Sequence, residues 1–362
     1  MPKVHGIELS RQELDRRVGS RKAAFGVDLV ELADGAERGV RVLRFRSGGG
    51  LVAEVFVDRC MDVGTMELHG VPLGFRSPTG FVHPALVDVE AEAGLGWLRG
   101  FTGLLNTCGL DHVMGPEEEA APHYRYRLRH KVIHGLHGRA AYLPARLAGY
   151  GERWDGDACV LWAEGEIRQA TMFGENLLLQ RRIEVPVGGT ELTIHDTVTN
   201  DGMHPTPHAL LYHCNAGWPV VSEHSRLVAE IENTPAMFHD PSLTSIGAVE
   251  QAAPQRNFLE QVYEHKVKKP ASGLATAAMV NPAFAWATGG TGIGLEIGWD
   301  LDAMPALYQW QNLQEGNYVV GIEPCTIHAG NREDWKRRGE LHMLTHGESK
   351  TYTLRLRGMV GV

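Results

Sequence analysis

Several features that would assign this chain to common classes of protein are absent from its sequence. The five cysteines are odd in number and widely spaced, with no C-x-x-C pair, so neither a disulfide framework nor a zinc knuckle is expected. No apolar run approaches the length that crosses a bilayer, and the charged N-terminus lacks the apolar stretch of a signal peptide. We therefore expect a cytoplasmic protein with reduced thiols and no membrane partner.

Basic residues are fewer than acidic ones, 35 Lys and Arg against 44 Asp and Glu. The formal net charge is −9, and the densest cationic cluster, residues 336–338, has acidic neighbours. Proteins that bind nucleic acid usually present a continuous basic patch or stripe, so nucleic acid is not expected as a partner. With 43% hydrophobic and 22% charged residues, the composition is that of a globular protein with a substantial core.

Short extended segments dominate the sequence pattern. Residues 192–199 alternate apolar and polar side chains, the period of two expected of a strand with one buried face. Residues 176–186 are rich in Leu, Ile and Val and pair with that strand as a predicted hairpin, and residues 351–357 predict a final strand. Residues 40–45 and 51–57 predict two more strands, joined by a Ser-Gly-Gly-Gly connection.

Helical periodicity is weak. Ser10 and Glu13 fit a capping box, which predicts a short N-terminal helix through about Arg21. Residues 259–266 and part of 84–93 are the only other helical candidates, and the 43 glycines are spread along the chain as turns.

No interior linker or fixed-period repeat divides the chain. Residues 116–119 and 249–255 are predicted to be exposed loops, because strand patterns resume on both sides of each without a change in composition. We therefore predict one all-β domain over residues 1–362, with residues 1–35 as an N-terminal arm that carries the short helix.

The first candidate site is a glycine-flanked segment that contains His134, His137 and Arg139. Glycines allow a backbone to approach a ligand closely, so the two imidazoles and the guanidinium could bind one. The alternative is a turn with surface histidines. A zinc site is less well supported, because the helical H-E-x-x-H spacing and its glutamate are absent.

A second and a third candidate segment place polar groups in runs that should be buried. Tyr212, His213, Asn215 and Trp218 lie within seven residues of an apolar strand-like run, and they either line a cavity or satisfy one another structurally. Glu323 follows Val-Val-Gly-Ile, so it is either a buried carboxylate with a raised proton affinity or a strand-end residue that faces water.

Aromatic and charged residues elsewhere supply further candidates. Trp218 and Trp310 could stack on the apolar face of a ring-shaped ligand, and Gln311 and Arg139 could bind its polar groups, although core packing explains the tryptophans equally well. A further set of charged residues suits sugar contacts or structural ion pairs alike: Arg59, Asp62 and Arg76.

Taken together and in order, several segments resemble the galactose mutarotase-like superfamily, and most closely a bacterial branch of aldose 1-epimerase-like proteins of unknown function. The resemblance runs nearly end to end. The segments that carry it are DRCMDVG at 58–64, GLLNTCGL at 103–110, HGR at 137–139, RQA at 168–170, FGENL at 173–177, YHCN at 212–215 and GIEP at 321–324.

The resemblance implies a fold, an activity and a set of site residues. The implied fold is a β-supersandwich whose concave face holds a sugar. Glu323 would take the proton of the anomeric hydroxyl, and His213, six residues after Pro207, would protonate the ring oxygen. His137, or His134 in its place, would help to hold the ring oxygen, and the neighbouring Arg139 would bind hydroxyl groups. No metal and no cofactor are implied.

The predicted function is therefore anomer interconversion of a free aldose, with a small-molecule sugar as partner and a homo-oligomer left open. Two alternatives remain. One is a carbohydrate-binding protein without catalysis. The other is an epimerase or lyase that acts on an oxidised sugar, assisted by a metal on His134, His137 and a carboxylate.

Overall fold

Extended chain dominates the computed structural model of the protein, as the alternating sequence patterns predict. The structure describes residues 1–120, 129–234, 236–238 and 246–362. The strands of these residues are β1 (Lys3–Val4), β2 (Ile7–Glu8), β3 (Gly26–Glu31), β4 (Arg41–Arg46), β5 (Leu51–Phe56), β6 (Asp62–Leu68), β7 (Val71–Pro72), β8 (Leu105–Cys108), β9 (Glu117–Ala120), β10 (Lys131–His134), β11 (Ala145–Asp155), β12 (Ala158–Ala170), β13 (Asn176–Pro186), β14 (Glu191–Asn200), β15 (Thr206–His208), β16 (Leu211–Gly217), β17 (Arg226–Ala229), β18 (Ile231–Asn233), β19 (Ala236–Phe238), β20 (Gln261–Val267), β21 (Ala275–Ala285), β22 (Thr291–Trp299), β23 (Ala306–Gln314), β24 (Asn317–Cys325), β25 (His342–Leu344) and β26 (Ser349–Val360).

Helices are short and few within the described residues. The α-helical segments there are α1 (Arg11–Asp15), α2 (Ala91–Gly94) and α3 (Arg332–Arg338). Single 3-10 turns cover Arg21–Ala23, Gly35–Glu37, Pro84–Leu86, Gly96–Arg99 and Ala140–Tyr142. In the described part of the chain, no helix has the length and apolar character needed to cross a membrane.

Three large antiparallel sheets contain most of the strands. The first has eight strands in the order β11, β12, β13, β14, β26, β22, β21, β17, and the second has the path β18, β20, β23, β24, β16, β8, with β19 paired to β20. The third follows the chain from β3 to β7. The described residues also form two-stranded pairs of β1 with β2, β9 with β10, and β15 with β25.

One hydrophobic core joins the three large sheets. Val55 of the third sheet, Leu179 of the first and Ile322 of the second are all fully or almost fully buried in it. The opposite face of the second sheet packs in a separate cluster, which includes Leu211 and Tyr308. Because both faces of β16 are covered, every residue of that strand is buried, and polar side chains on it must find partners inside the protein.

The strand predictions are confirmed where alternation is clear. Strands β13 and β14 form the expected hairpin, and β26 adds to the free edge of β14 near the C-terminus. Between β4 and β5, Gly48 and Gly50 have φ values of +74° and +101°, which an L side chain rarely adopts. The all-β sandwich class is thus confirmed, whereas the single domain stays a prediction.

Some local predictions were wrong. Residues 259–266 are not helical but supply β20, because Gln261 and His265 face inward and the buried set alternates despite its polarity. Residues 116–119 are not simply a loop, since β9 pairs with β10. The N-terminal helix has the expected capping box but ends at Asp15, well before Arg21. Residues 84–93 contain only a 3-10 turn and the start of α2.

Candidate functional site

His213 and Glu323 lie side by side on the second sheet. The register of β16 with β24 pairs Leu211 with Cys325 and Cys214 with Ile322, which places His213 directly across from Glu323. Nε2 of His213 is 3.1 Å from Oε1 of Glu323, and each residue is only 4% exposed. The two atoms are in contact but not aligned for a hydrogen bond, so Oε1 has no hydrogen-bond partner among the described residues.

Gly321 makes room for this pair. Gly321 and Glu323 point to the same face of β24, and a Cβ added at Gly321 would overlap Oε1 of Glu323 and lie 3.2 Å from Cε1 of His213. Glycine inside a strand usually weakens it, and here it permits the close approach of two functional side chains.

Asn215 fixes the proton on the other nitrogen of His213. Oδ1 of Asn215 is 2.6 Å from Nδ1 of His213, while Nδ2 of Asn215 donates to the carbonyl oxygens of Gly103 and His213. Because the amide nitrogen is committed to carbonyls, Oδ1 must accept, and Nδ1 must carry a proton. Nε2 therefore holds the lone pair that faces Glu323 when the ring is neutral. Asn215, predicted to bind substrate, contacts His213.

Burial shifts both members of the pair toward their neutral forms. It raises the pKa of Glu323 to about 8, with a further contribution from the negative charge of Glu260. It lowers the pKa of His213 to about 4, against the opposing effect of the Asn215 hydrogen bond. At neutral pH the empty site thus holds one titrating proton, on Glu323, so the pair is a carboxylic acid beside a neutral imidazole.

Aromatic rings surround the His213 imidazole. The ring centroids of Phe101, Trp310 and Trp97 lie 5.2, 5.5 and 6.1 Å from it. Sequence reasoning missed Trp97 and Phe101, which lie outside the large sheets. The available signal was the pair of aromatic residues between Gly96 and Gly103, in a segment without strand alternation.

Trp310 and Glu260 extend the site away from the pair. Nε1 of Trp310 donates to Oε2 of Glu260 at 2.7 Å, and Trp310 is paired with Gly321 across β23 and β24. This contact holds an exposed carboxylate beside the aromatic wall. Glu260 was not anticipated from the sequence, because it precedes a strand whose pattern suggested a helix.

His137 is the one histidine of the predicted H-x-x-H segment that reaches His213. The two rings are 5.4 Å apart and perpendicular, and the His137 ring is 4.9 Å from that of Trp97. His137 has a φ of +57°, and Nδ1 has no hydrogen-bond partner in the described part of the chain. Burial holds its pKa well below the usual value, so the ring is neutral.

His134 and Arg139 belong to a neighbouring network of charges. Nε2 of His134 is 2.9 Å from Oε1 of Glu119, and Nδ1 is 3.8 Å from Oδ2 of Asp111. The Arg139 guanidinium binds Glu90 and lies 3.8 Å from the same Asp111 oxygen. These contacts occupy both residues with protein carboxylates, so the structure does not bring them to the pair.

A metal centre at this segment would require several ligand side chains close together. Among the residues that the structure describes, no group of three or more His, Cys, Asp and Glu side chains is arranged to hold a metal ion. His134 and His137 point into different surroundings, the first toward Glu119 and the second toward His213.

Structural contacts, rather than contacts with the pair, are what the structure shows for Arg59, Asp62 and Arg76. The sequence allowed either structural ion pairs or sugar contacts for these residues. Arg59 donates to the carbonyls of Val82 and Gly100. Arg76 pairs with Glu37 at the surface. Within the described residues, none of the three forms a hydrogen bond or ion pair with His213 or Glu323.

Asp62 lies in a buried network between the sheets. It accepts from the amide and hydroxyl of Thr107 and from Arg181, at 2.6–2.7 Å. Arg181 also binds Asp196, which accepts from the hydroxyl of Tyr212. Tyr212 precedes His213 and points to the opposite face of β16, so this network stabilises the sheet behind the site.

Trp218 and Gln311 are also outside the cluster. Trp218 is 68% exposed and follows the end of β16, five residues from His213, a span of about 16 Å in extended chain. Gln311 is buried and donates to Gln251. It faces the side of β23 opposite Trp310, and its role in binding sugar hydroxyls stays a prediction.

The fold is that of the galactose mutarotase-like class, and comparisons with known proteins agree. The model of the family described as a domain of unknown function, DUF4432, matches residues 37–357, so the chain belongs to that family. Among proteins with curated descriptions, none matches the sequence.

Solved structures share the architecture. A candidate aldose 1-epimerase from Klebsiella pneumoniae superposes with a TM-score of 0.82 at 25% identity, over 96% of this chain and 86% of that one. A galactose mutarotase-like protein from Clostridium acetobutylicum gives 0.57 at 13%, over 92% and 98%. Galactose 1-epimerase from Lactobacillus acidophilus gives 0.55 at 15%, over 93% and 99%. At these identities the last two establish the fold alone.

Proposed function

We propose that the protein is a mutarotase that interconverts the α and β anomers of a free aldose by general acid–base catalysis. The observation that carries the proposal is the 3.1 Å contact between Nε2 of His213 and Oε1 of Glu323. Opening a hemiacetal ring requires that one proton be removed and another delivered across the same carbon centre, which a facing base and acid can do.

The proton steps balance within the pair and the sugar. When a sugar binds, its anomeric hydroxyl donates to Glu323 and favours the carboxylate, so the Glu323 proton moves to Nε2 of His213. Glu323 then takes the anomeric proton, the bond from the anomeric carbon to the ring oxygen breaks, and His213 protonates that oxygen. The open chain faces a protonated Glu323 and a neutral His213, the same state as the empty site. Rotation of the aldehyde and reversal of the steps give the other anomer.

The surroundings of the pair suit a sugar ring. Trp97, Phe101 and Trp310 offer apolar ring faces and edges, against which the C–H face of a pyranose can pack. Glu260 is an acceptor for a hydroxyl at the outer end of Trp310. His137, neutral and close to His213, can hold the ring oxygen.

One similar protein supports the same reaction class. The Klebsiella pneumoniae relative, at 25% identity, is named a candidate aldose 1-epimerase. We extend the proposal to a cytoplasmic protein that acts without metal or cofactor.

The test is anomer exchange followed by NMR from pure α-anomers of a panel of hexoses, pentoses and 6-deoxy sugars. We expect at least one sugar to be accelerated by the wild-type protein. Glu323→Gln should abolish the acceleration while sugar binding persists, and Glu232→Gln, an exposed glutamate paired with Lys266, should match the wild type. A fully active Glu323→Gln protein would contradict the mechanism, and binding without acceleration by the wild type would favour a carbohydrate-binding protein.

A further inference from the structure

A second polar cavity lies beside the segment that carries His137. It has a volume of about 300 Å³, and its lining includes Glu90, Arg139, Arg168, Thr171 and Glu175. This volume is at the lower end of the range for small-molecule pockets, and it is sufficient for one sugar ring. Arg139 lies two residues beyond His137, whose ring is 5.4 Å from that of His213, and neither His213 nor Glu323 lines the cavity.

Two buried carboxylate oxygens, one on a residue that lines the cavity and one near Arg139, have no hydrogen-bond donor among the described residues. Glu175 is 3% exposed, and its Oε2 has no partner among the described residues. Oδ2 of Asp111, fully buried behind the cavity, has none in the same part of the chain. A buried charged oxygen without a donor is costly, so the missing partner is a hydrogen-bond donor.

Arg139 faces both carboxylates without reaching either. Its Nη1 lies 3.7 Å from Oε1 of Glu175 and 3.8 Å from Oδ2 of Asp111, beyond hydrogen-bond distance. Its Nε and Nη2 already bind Glu90. A group placed between Nη1 and a carboxylate must accept from the first and donate to the second. A hydroxyl does both, whereas an ammonium only donates and an ionised acid only accepts.

The cationic side chains that line the cavity are Arg129, Arg139 and Arg168. Arg139 is paired with Glu90 and Glu175, and Arg168 is paired with Asp201 at 3.0 Å, so carboxylates of the protein balance these two charges. Oε2 of Glu175, which has no hydrogen-bond partner among the described residues, disfavours an anionic ligand.

We propose that this cavity is a second carbohydrate-binding pocket, which binds an uncharged sugar ring through hydroxyl groups bridged between Arg139 and Glu175. The pocket is distinct from the catalytic pair and does not depend on the proposed mutarotase activity. In it, a ligand hydroxyl accepts from Nη1 of Arg139 and donates to Oε1 of Glu175, which lie 3.7 Å apart.

The pocket can be probed directly with a fluorine label. All five native cysteines are buried, so a thiol introduced by Met172→Cys, at a position 80% exposed and next to Thr171, can be labelled selectively with a trifluoromethyl reagent. The labelled full chain is titrated with D-glucose, D-galactose and D-xylose and with the charged D-glucuronate and D-glucosamine. The same label on Val360→Cys, at the exposed end of β26, is the control.

We expect a saturable 19F shift with at least one neutral sugar for the Met172→Cys label and none for the Val360→Cys label. Glu175→Gln should weaken binding about ten- to hundredfold, the effect of losing a hydrogen bond to a charged group. Thr171→Phe, which fills the cavity without altering its buried charges, should abolish binding even if Glu175→Gln does not fold. Glu323→Gln should leave the shift unchanged, which separates this pocket from the catalytic proposal.

Three results would overturn the proposal: no saturable shift with any of the neutral sugars, unchanged affinity in a folded Glu175→Gln protein, or tighter binding of D-glucuronate or D-glucosamine than of the neutral sugars. The last result would assign the cavity to a charged ligand.

Discussion

Oδ1 of Asn215 accepts a hydrogen bond from Nδ1 of His213, its neighbour two residues along the same face of β16, at 2.6 Å. The carbonyls of Gly103 and His213 hold the amide in this orientation. Asn215 is therefore a positioning residue, which keeps the proton on Nδ1 and the lone pair on Nε2, the nitrogen that lies 3.1 Å from Glu323.

Substitution of Asn215 should alter the titration of His213 as well as the rate. Asn215→Asp places a carboxylate at Nδ1, so the pKa of His213 should rise and the acid limb of the pH–rate profile should move to higher pH. Asn215→Ala should lower kcat roughly ten- to hundredfold, because the loss of this hydrogen bond frees the tautomer. 15N NMR of the imidazole and kcat against pH measure both effects. An acid limb that stays in place in Asn215→Asp would contradict the positioning role.

Gly321→Ala should displace the Glu323 carboxylate, because the new methyl group overlaps Oε1. We expect anomer exchange to fall at least about a hundredfold, the lower end of the contribution of general acid–base catalysis. Gly151→Ala is the matched control, since its Cβ would meet only ordinary contacts with Trp162 in another strand. Circular dichroism checks that both variants are folded. Wild-type activity in Gly321→Ala would show that the pair tolerates separation.

The rate should depend on the single proton that the pair shares. A pKa of about 8 for Glu323 and about 4 for His213 predicts a plateau between these values. Above the plateau the pair loses its proton and has no acid, and below it a second proton leaves no base. The measurement is kcat against pH for an accelerated sugar. A rate that keeps rising well above pH 8 would exclude this assignment.

Glu323 should destabilise the fold as pH rises. Its pKa is raised in the folded protein relative to the unfolded chain, so its favourable contribution is complete below about pH 4.5 and is lost between there and about pH 8. Glu323→Gln removes this dependence, and the variant should gain stability over the wild type by at most about 5 kcal/mol at pH 8. Denaturant unfolding at pH 5 and pH 8 measures the gain. An equal gain at both pH values would mean that the carboxyl is not shifted.

Asp62 should matter for stability and not for sugar binding. Asp62→Ala removes one carboxylate from the buried Arg181 guanidinium, and we expect a loss of about 3 kcal/mol in the free energy of unfolding. Glu118→Ala breaks an exposed pair with Lys131 and should cost less than about 1 kcal/mol. Unfolding titrations and sugar-binding titrations distinguish the roles. A change in sugar affinity without a change in stability would show that Asp62 takes part in sugar binding.

The fold was largely accessible from sequence wherever one strand face is apolar and the other polar. The alternation of apolar and polar residues predicts strands β13, β14 and β26. The glycines between β4 and β5 predict the turn that joins these two strands. Strand β20 escaped detection because Gln261 and His265 are buried polar residues, whose burial depends on hydrogen bonds to other elements. For His265 that partner is Gln309 on β23.

The sequence alone predicted which residue types form the site. Only the tertiary structure shows which of these residues lie next to one another. A polar strand around His213 and a glutamate after Val-Val-Gly-Ile were visible in the chain itself. Their adjacency depends on the register of β16 with β24, and the burial that shifts their pKa values depends on loops that carry Trp97 and Phe101. Arg139 shows why contacts could not be predicted from sequence. It lies two residues from His137, but the carboxylates near its guanidinium belong to Glu90 and Glu175, which are far from it in sequence. Local patterns follow from a side-chain period of two, whereas contacts between strands far apart in sequence follow only from the packed sheets.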